Sequence, residues 1–131
     1  MRILLLVLFT FLVSIESTGQ GNKLPAKKDS EKAKVTFVEL GSVKCIPCKQ
    51  MQPVMKAIEE RYGEQIKVVF YDVWLPEQKQ YAQKFGIKLI PTQVFLDEKG
   101  EEFHRHEGFY PEKEIDKILI SKGLKPITGK N

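Results

Sequence analysis

From Val35 onward the chain alternates between two hydrophobic periods. Residues 35–40 (Val-Thr-Phe-Val-Glu-Leu) are β-branched, aromatic and mostly apolar, and Gly41-Ser42 stops them, which predicts a buried strand. Met51, Val54, Met55, Ile58 and Tyr62 then recur at helical spacing until Gly63. Residues 66–73 form a second apolar, β-branched run, long enough for a central strand covered on both faces. Over 76–85, Tyr81, Ala82 and Phe85 fall on one side of a helix that Gly86 can end in the left-handed conformation. Residues 92–96 and 101–106 flank Asp97-Glu98-Lys99-Gly100, a turn sequence, and so predict an antiparallel hairpin. Pro111 suits a first helical turn, Glu112 and Glu114 favour a helix N-terminus, and Ile115, Ile118 and Leu119 supply the apolar stripe before Gly123.

The predicted order is β-α-β-α-β-β-α, an α/β fold with a mixed sheet flanked by helices. Crossover helices among the first three strands allow parallel pairing there, and the hairpin adds antiparallel pairing. Residues 1–19 stand apart. Arg2 is followed by an apolar run over 3–13 broken only by Thr10, and then by Ser14-Ile15-Glu16-Ser17-Thr18-Gly19. That run is shorter than the roughly 18–20 residues of a stable membrane span, so it reads as a secretory signal peptide; an uncleaved N-terminal anchor is the alternative. Residues 20–34 are polar, contain Pro25, and read as a flexible leader. The folded domain is expected over 35–125, with a tail over 126–131.

Composition narrows the possible chemistry. With 131 residues the chain suits one domain, and with 42% hydrophobic residues it is ordinary for a globular fold. Its 21 Lys+Arg against 17 Asp+Glu give a net charge of +4, but the basic residues are dispersed, which argues against a nucleic-acid partner. The 2 cysteines permit one intramolecular bridge and exclude a multi-cysteine metal ribbon. Export would place them where disulfides persist. Membrane contact is expected only if the N-terminal segment stays attached.

Both cysteines lie in Cys45-Ile46-Pro47-Cys48, between the first predicted strand and the first predicted helix. A helix N-terminus offers unpaired N–H groups and partial positive charge, which favour a thiolate at Cys45. Cys48, one turn further in, can attack a mixed disulfide formed at Cys45. Pro47 stiffens the turn, and Lys44 and Lys49 add positive charge or are simply solvated. A purely stabilising disulfide is the first alternative, although so small a loop removes little chain entropy. A metal site is the second. It needs two more ligands, and the 2 histidines, His104 and His106, lie far along the chain on one face of a predicted strand. No metal or other cofactor is expected.

At this point the stretch from Val35 to Leu124 resembles the thioredoxin family. Residues 39–49 (Glu-Leu-Gly-Ser-Val-Lys-Cys-Ile-Pro-Cys-Lys) are similar to that family's active-site stretch. Pro53 falls where the family's helix is kinked, Ile90-Pro91-Thr92 matches its cis-proline loop, and Gly108 matches a late glycine. The resemblance implies a thioredoxin-like fold, trimmed at the N-terminus because residues 20–34 are too few and too polar for the family's initial strand and helix. It implies a cis Pro91 beside the dithiol and an Ile90 backbone that pairs with a substrate strand, with Ile46, Pro47 and Thr92 completing the substrate-binding residues.

Glu39, six residues before Cys45, falls where the family has a buried acid. There it would accept the Cys48 proton; a strand-end carboxylate reaching solvent is the alternative. Lys44 and Ile46 depart from the Trp and Gly of thioredoxins proper. Trp74-Leu75-Pro76-Glu77-Gln78 and Gly108-Phe109-Tyr110 are similar to the exported thioredoxin-like domain of membrane disulfide reductases. Trp74 and Tyr110 either rim a partner surface or cap a helix end.

The expected function is therefore that of an exported, monomeric thiol–disulfide oxidoreductase that reduces protein disulfides and is recharged by a redox-donor protein. A disulfide-forming oxidant and a non-catalytic binding module are the alternatives.

Overall fold

The computed structural model describes residues 33–127. The segment 1–19, nearly all of the leader and most of the tail lie outside them. Within them the order is β1 (Val35–Gly41), α1 (Ile46–Tyr62), a 3₁₀ turn (Gly63–Gln65), β2 (Ile66–Asp72), α2 (Gln80–Lys84), β3 (Thr92–Leu96), β4 (Glu102–Glu107) and α3 (Glu112–Ser121). This is the predicted sequence of elements. The sheet order is β2-β1-β3-β4, with β1 parallel to β2 and antiparallel to β3, and with β3 antiparallel to β4.

Three expectations are corrected. The run over 66–73 forms an edge strand among the described residues and not a central one; it pairs only with β1, and Lys67 on it is exposed. Centrality belongs to β1, whose residues are buried except at Thr36. An apolar run cannot by itself distinguish a strand flanked on both edges from one covered on its faces by helices and loops. Secondly, β3 meets β1 antiparallel, because the chain between β2 and β3 is not a full crossover helix. Thirdly, α2 starts at Gln80, not at Pro76. The backbone after β2 instead folds into successive turns: Leu75 N–H donates to Asp72 O and Lys79 N–H to Leu75 O, while the Gln78 side-chain oxygen accepts from Asp72 N–H at 2.7 Å.

Alternation along β1 divides the core between the two faces of the sheet. Val35 and Phe37 face α1 and α3, packing with Met51, Ile58, Tyr62, Phe95, Ile115 and Leu119. Phe37 stacks on Phe95 with ring centroids 4.7 Å apart. Val38 and Leu40 face the other way, onto Val94, Val73 and the partly buried Tyr71, Tyr81 and Phe85. On the first face Arg61 of α1 bridges Glu112 and Asp116 of α3, and the Tyr62 hydroxyl donates to Asp116 Oδ1 at 2.9 Å. Glu39 and Gly41 share the parity of Phe37, so they point to the α1 side. That parity puts the acid on the same sheet face as Gly41, two residues along β1.

Phe95→Ala should lower unfolding free energy by about 3–5 kcal/mol, because it empties the centre of this packing. Lys117→Ala, which removes only an exposed pair with Glu114, should cost less than about 1 kcal/mol. Urea unfolding of the two variants checks the contrast.

Candidate active site

Cys45 is the N-cap of α1, with extended backbone, and its sulfur accepts from Cys48 N–H at 3.3 Å. Pro47 sits in the first turn, where its missing N–H costs nothing. The two cysteines are joined in a disulfide with Cα atoms 5.2 Å apart. Cys45 is 8% exposed and Cys48 is fully buried, whereas Ile46 between them is 73% exposed. Of the two, only Cys45 keeps any exposed area, and an apolar side chain projects beside them. Pro53 lies within α1, as the resemblance implied, and Lys44 and Lys49 are solvent-exposed.

The inner sulfur is seated against β1. A methyl group on Gly41 would lie 3.2 Å from both Cβ and Sγ of Cys48 and 3.3 Å from the Phe70 ring, so any side chain there would force Cys48 or Phe70 to shift. Asp72, at the end of β2, braces the loop between β1 and α1. Its carboxylate accepts from the Ser42 hydroxyl at 3.3 Å, from Val43 N–H at 3.1 Å and from Trp74 N–H at 3.1 Å. Burial works against ionisation of Asp72, but the N–H groups of Val43 and Trp74, the Ser42 hydroxyl and the Lys44 charge together hold it below the usual carboxylate range.

Glu39 is fully buried and one strand repeat from Gly41, on the same face. The solvent-reaching alternative is thereby excluded. Burial pushes its carboxyl up to about 8, with the Gln93 amide offsetting part of the effect. No hydrogen bond joins the two side chains in this structure.

The Ile90–Pro91 peptide is cis, as the resemblance implied. Thr92 pairs with Leu40, which places Pro91 at the end of the sheet where β1 leads into the Cys45 loop. Pro91 O accepts from Gly108 N–H at 2.7 Å, and the Thr92 hydroxyl donates to Leu89 O at 2.7 Å. Pro91 and Thr92 are buried, and Ile90 is half-buried. The last loop is tied to α1 by Tyr110 N–H, which donates to Met51 Sδ at 3.2 Å. His104 and His106 share one face, as predicted, and both meet Tyr110: Nε2 of His104 lies 2.9 Å from its hydroxyl, and the ring of His106 stacks on it at 4.0 Å. Tyr110 is thus a buried loop residue, whereas Trp74 is exposed on the turn after β2; neither caps a helix end. Among the described residues no group of three or more His, Cys, Asp or Glu side chains is placed to hold a metal ion.

Sequence reasoning missed Asp72, Ser42 and Gln93. Asp72 left a trace, as a carboxylate closing an apolar run, and so did Gln93, as an amide between apolar residues of a strand. Their partners across the sheet became visible only with the register.

A mixed sheet carrying a Cys-x-x-Cys disulfide at a strand-to-helix junction, with a cis-proline at the same end, defines a thiol–disulfide oxidoreductase fold. A family profile described as a thioredoxin-like domain matches residues 24–122. The thioredoxin of Bacillus subtilis (strain 168) is 36% identical over 80 residues, covering 61% of this chain and 73% of that protein. Among solved structures, a thioredoxin from Nicotiana alata is 30% identical with a TM-score of 0.59, over 71% of this chain and 76% of that one. The thioredoxin of Malassezia sympodialis is 31% identical with a TM-score of 0.58, over 69% and 76%. The chain belongs to the thioredoxin-like family.

Two stability measurements test the site's electrostatics. Asp72→Asn should lose about 1–3 kcal/mol at pH 7. Because the folded state holds Asp72 below its unfolded value, wild type should keep this advantage above the unfolded pKa and lose it as pH falls through the folded one. Glu39 has the opposite sign. Raised to about 8, it stays protonated in the folded state at pH values where the unfolded chain ionises, so stability declines as pH rises from the ordinary carboxylate range towards 8. Glu39→Gln should remove that decline and be the more stable protein at pH 8, by a margin on the order of a few kcal/mol.

Proposed function

We propose that this chain is an exported thiol–disulfide oxidoreductase that reduces disulfides of partner proteins. The observation that carries the reading is the asymmetry of the dithiol: Cys45 sits at the N-cap and keeps a small exposed fraction, and Cys48 is sealed against Gly41.

In the reduced protein the Cys45 thiolate attacks a substrate disulfide, forms a mixed disulfide and releases the first substrate thiolate. Cys48 gives its proton to the Glu39 carboxylate, and the resulting thiolate attacks the Cys45 sulfur. The Cys45–Cys48 bond forms, the mixed disulfide breaks, and the second substrate thiol leaves with the proton. Two electrons have then passed to the substrate, and a redox-donor protein returns two to the dithiol. The substrate strand lies along Ile90, Pro91 and Thr92, with Ile46 and Pro47 on its other side. Exposed Val43, Ile46, Trp74 and Leu89 give the dithiol end an apolar rim suited to unfolded or extended protein segments.

Export rests on the short apolar run at residues 3–13, and the assignment as reductant on the similarity to the exported domain of membrane disulfide reductases. A disulfide-forming oxidant would use the same atoms in reverse. Equilibration with glutathione separates the two: a reductant lies well below the glutathione couple, and an oxidant lies above it.

In an insulin-reduction assay driven by dithiothreitol, Cys45→Ser should abolish activity, and Cys48→Ala should accumulate mixed disulfides with envelope proteins. Glu39→Gln should slow turnover about 10- to 100-fold near neutral pH while leaving the circular dichroism spectrum unchanged. Wild-type turnover should rise as pH increases through about 8, and the variant should lose that rise. Unchanged rates for Glu39→Gln across pH would remove the acid from the mechanism, and failure of both activity and trapping would leave a binding module.

A further inference from the structure

The register places four side chains in one row across the α1-facing side of the sheet. Glu39 on β1 pairs with Phe70 on β2 and with Gln93 on β3, and Gln93 pairs in turn with His106 on β4. Phe70 has no polar atom to offer. His106 is engaged elsewhere, with Nε2 3.1 Å from Phe109 O and its ring on Tyr110. Gln93 is thus the polar side chain beside Glu39 in the row. Both residues are fully buried, and all four of their side-chain oxygen and nitrogen atoms lack a hydrogen-bond partner.

Unpaired buried polar groups are costly, and an apolar residue at 93 would suit a strand whose neighbours Val94 and Phe95 are core. An amide there has one property that neither an apolar side chain nor a fixed cation shares. It accepts from a protonated carboxyl through its oxygen and donates to an ionised one through its nitrogen. A carboxyl that takes up and gives back a proton in every cycle needs a partner suited to both states.

We propose that Gln93 is a positioning residue for the second half of the exchange, its side-chain amide turning to donate to the Glu39 carboxylate that accepts the Cys48 proton. The inference rests on the reading of Glu39 given above. Other titratable groups around Glu39 are Cys45 and Cys48 from α1, Asp72 two residues beyond Phe70 on β2, and His106 beyond Gln93 on β4. Asp72 is held by Ser42, Val43 and Trp74, so its charge is constant through the neutral range.

Ellman's reagent isolates the step. The Cys45 thiolate displaces one thionitrobenzoate and keeps the other as a mixed disulfide, and the Cys48 thiolate then displaces the second. The pH dependence of the second release reports the Cys48 step. Gln93→Met, nearly isosteric but without a donor, should move the midpoint of that release upward by about 0.5–1 pH unit and slow it about 3- to 10-fold at pH 7. Added to Glu39→Gln, the same substitution should change nothing further.

An unshifted midpoint in Gln93→Met, with Glu39→Gln still slow, overturns the role of Gln93 alone. A Glu39→Gln protein as fast as wild type overturns both readings. Should Gln93→Met fail to fold, wild type decides. The Gln93 side-chain amide resonances should titrate with the Glu39 carboxyl and cease to titrate in Glu39→Gln, and a flat amide signal overturns the proposal.

Discussion

The structure depends on how closely one helix end approaches one strand. Gly41 has no side chain, so the first turn of α1 can rest on β1 with Cys48 sealed beneath it and Cys45 left at the N-cap. The full burial of the inner sulfur follows from that contact, and a buried carboxyl, Glu39, lies two residues back on the same face of β1. Asp72 braces the loop that makes the connection by accepting from three donors, the Ser42 hydroxyl and the N–H groups of Val43 and Trp74. The rest of the fold supports this junction: stacked Phe37 and Phe95 below it, and the Arg61 bridges that clamp α1 to α3 at its far end.

Buried acids play two roles here. Asp72 is ionised because donors converge on it, and it is structural. Glu39 has one amide beside it and no aligned donor, so burial keeps it protonated until the pH approaches its raised value. The same residue class is held ionised or kept protonated according to how many N–H and O–H groups face it. The energetic consequence of Glu39 is a stability penalty that grows as pH rises from the ordinary carboxylate range to about 8.

Much of this was legible along the chain. Period and punctuation located the elements, and the cysteine spacing with Ile90-Pro91-Thr92 located the chemistry. What escaped was set by pairing across the sheet. Nothing in the run over 66–73 distinguishes an edge strand from a central one, because face burial and edge pairing are independent. The late start of α2 depends on a Gln78 side chain that closes a turn against Asp72, a contact that propensity does not register. Gln93 looked like an ordinary strand residue until the register set it beside Glu39. Distant pairs of polar residues are the part of a site that local pattern does not encode.

An N-cap position favours the anionic form of the Cys45 sulfur once the bridge is opened. Titration of the reduced protein, following thiolate absorbance or iodoacetamide reactivity against pH, measures this directly. Cys45 should ionise at least a full pH unit below the value of about 8.5 for free cysteine, and the buried Cys48 should ionise after it. A Cys45 that ionises at or above the free value would contradict it.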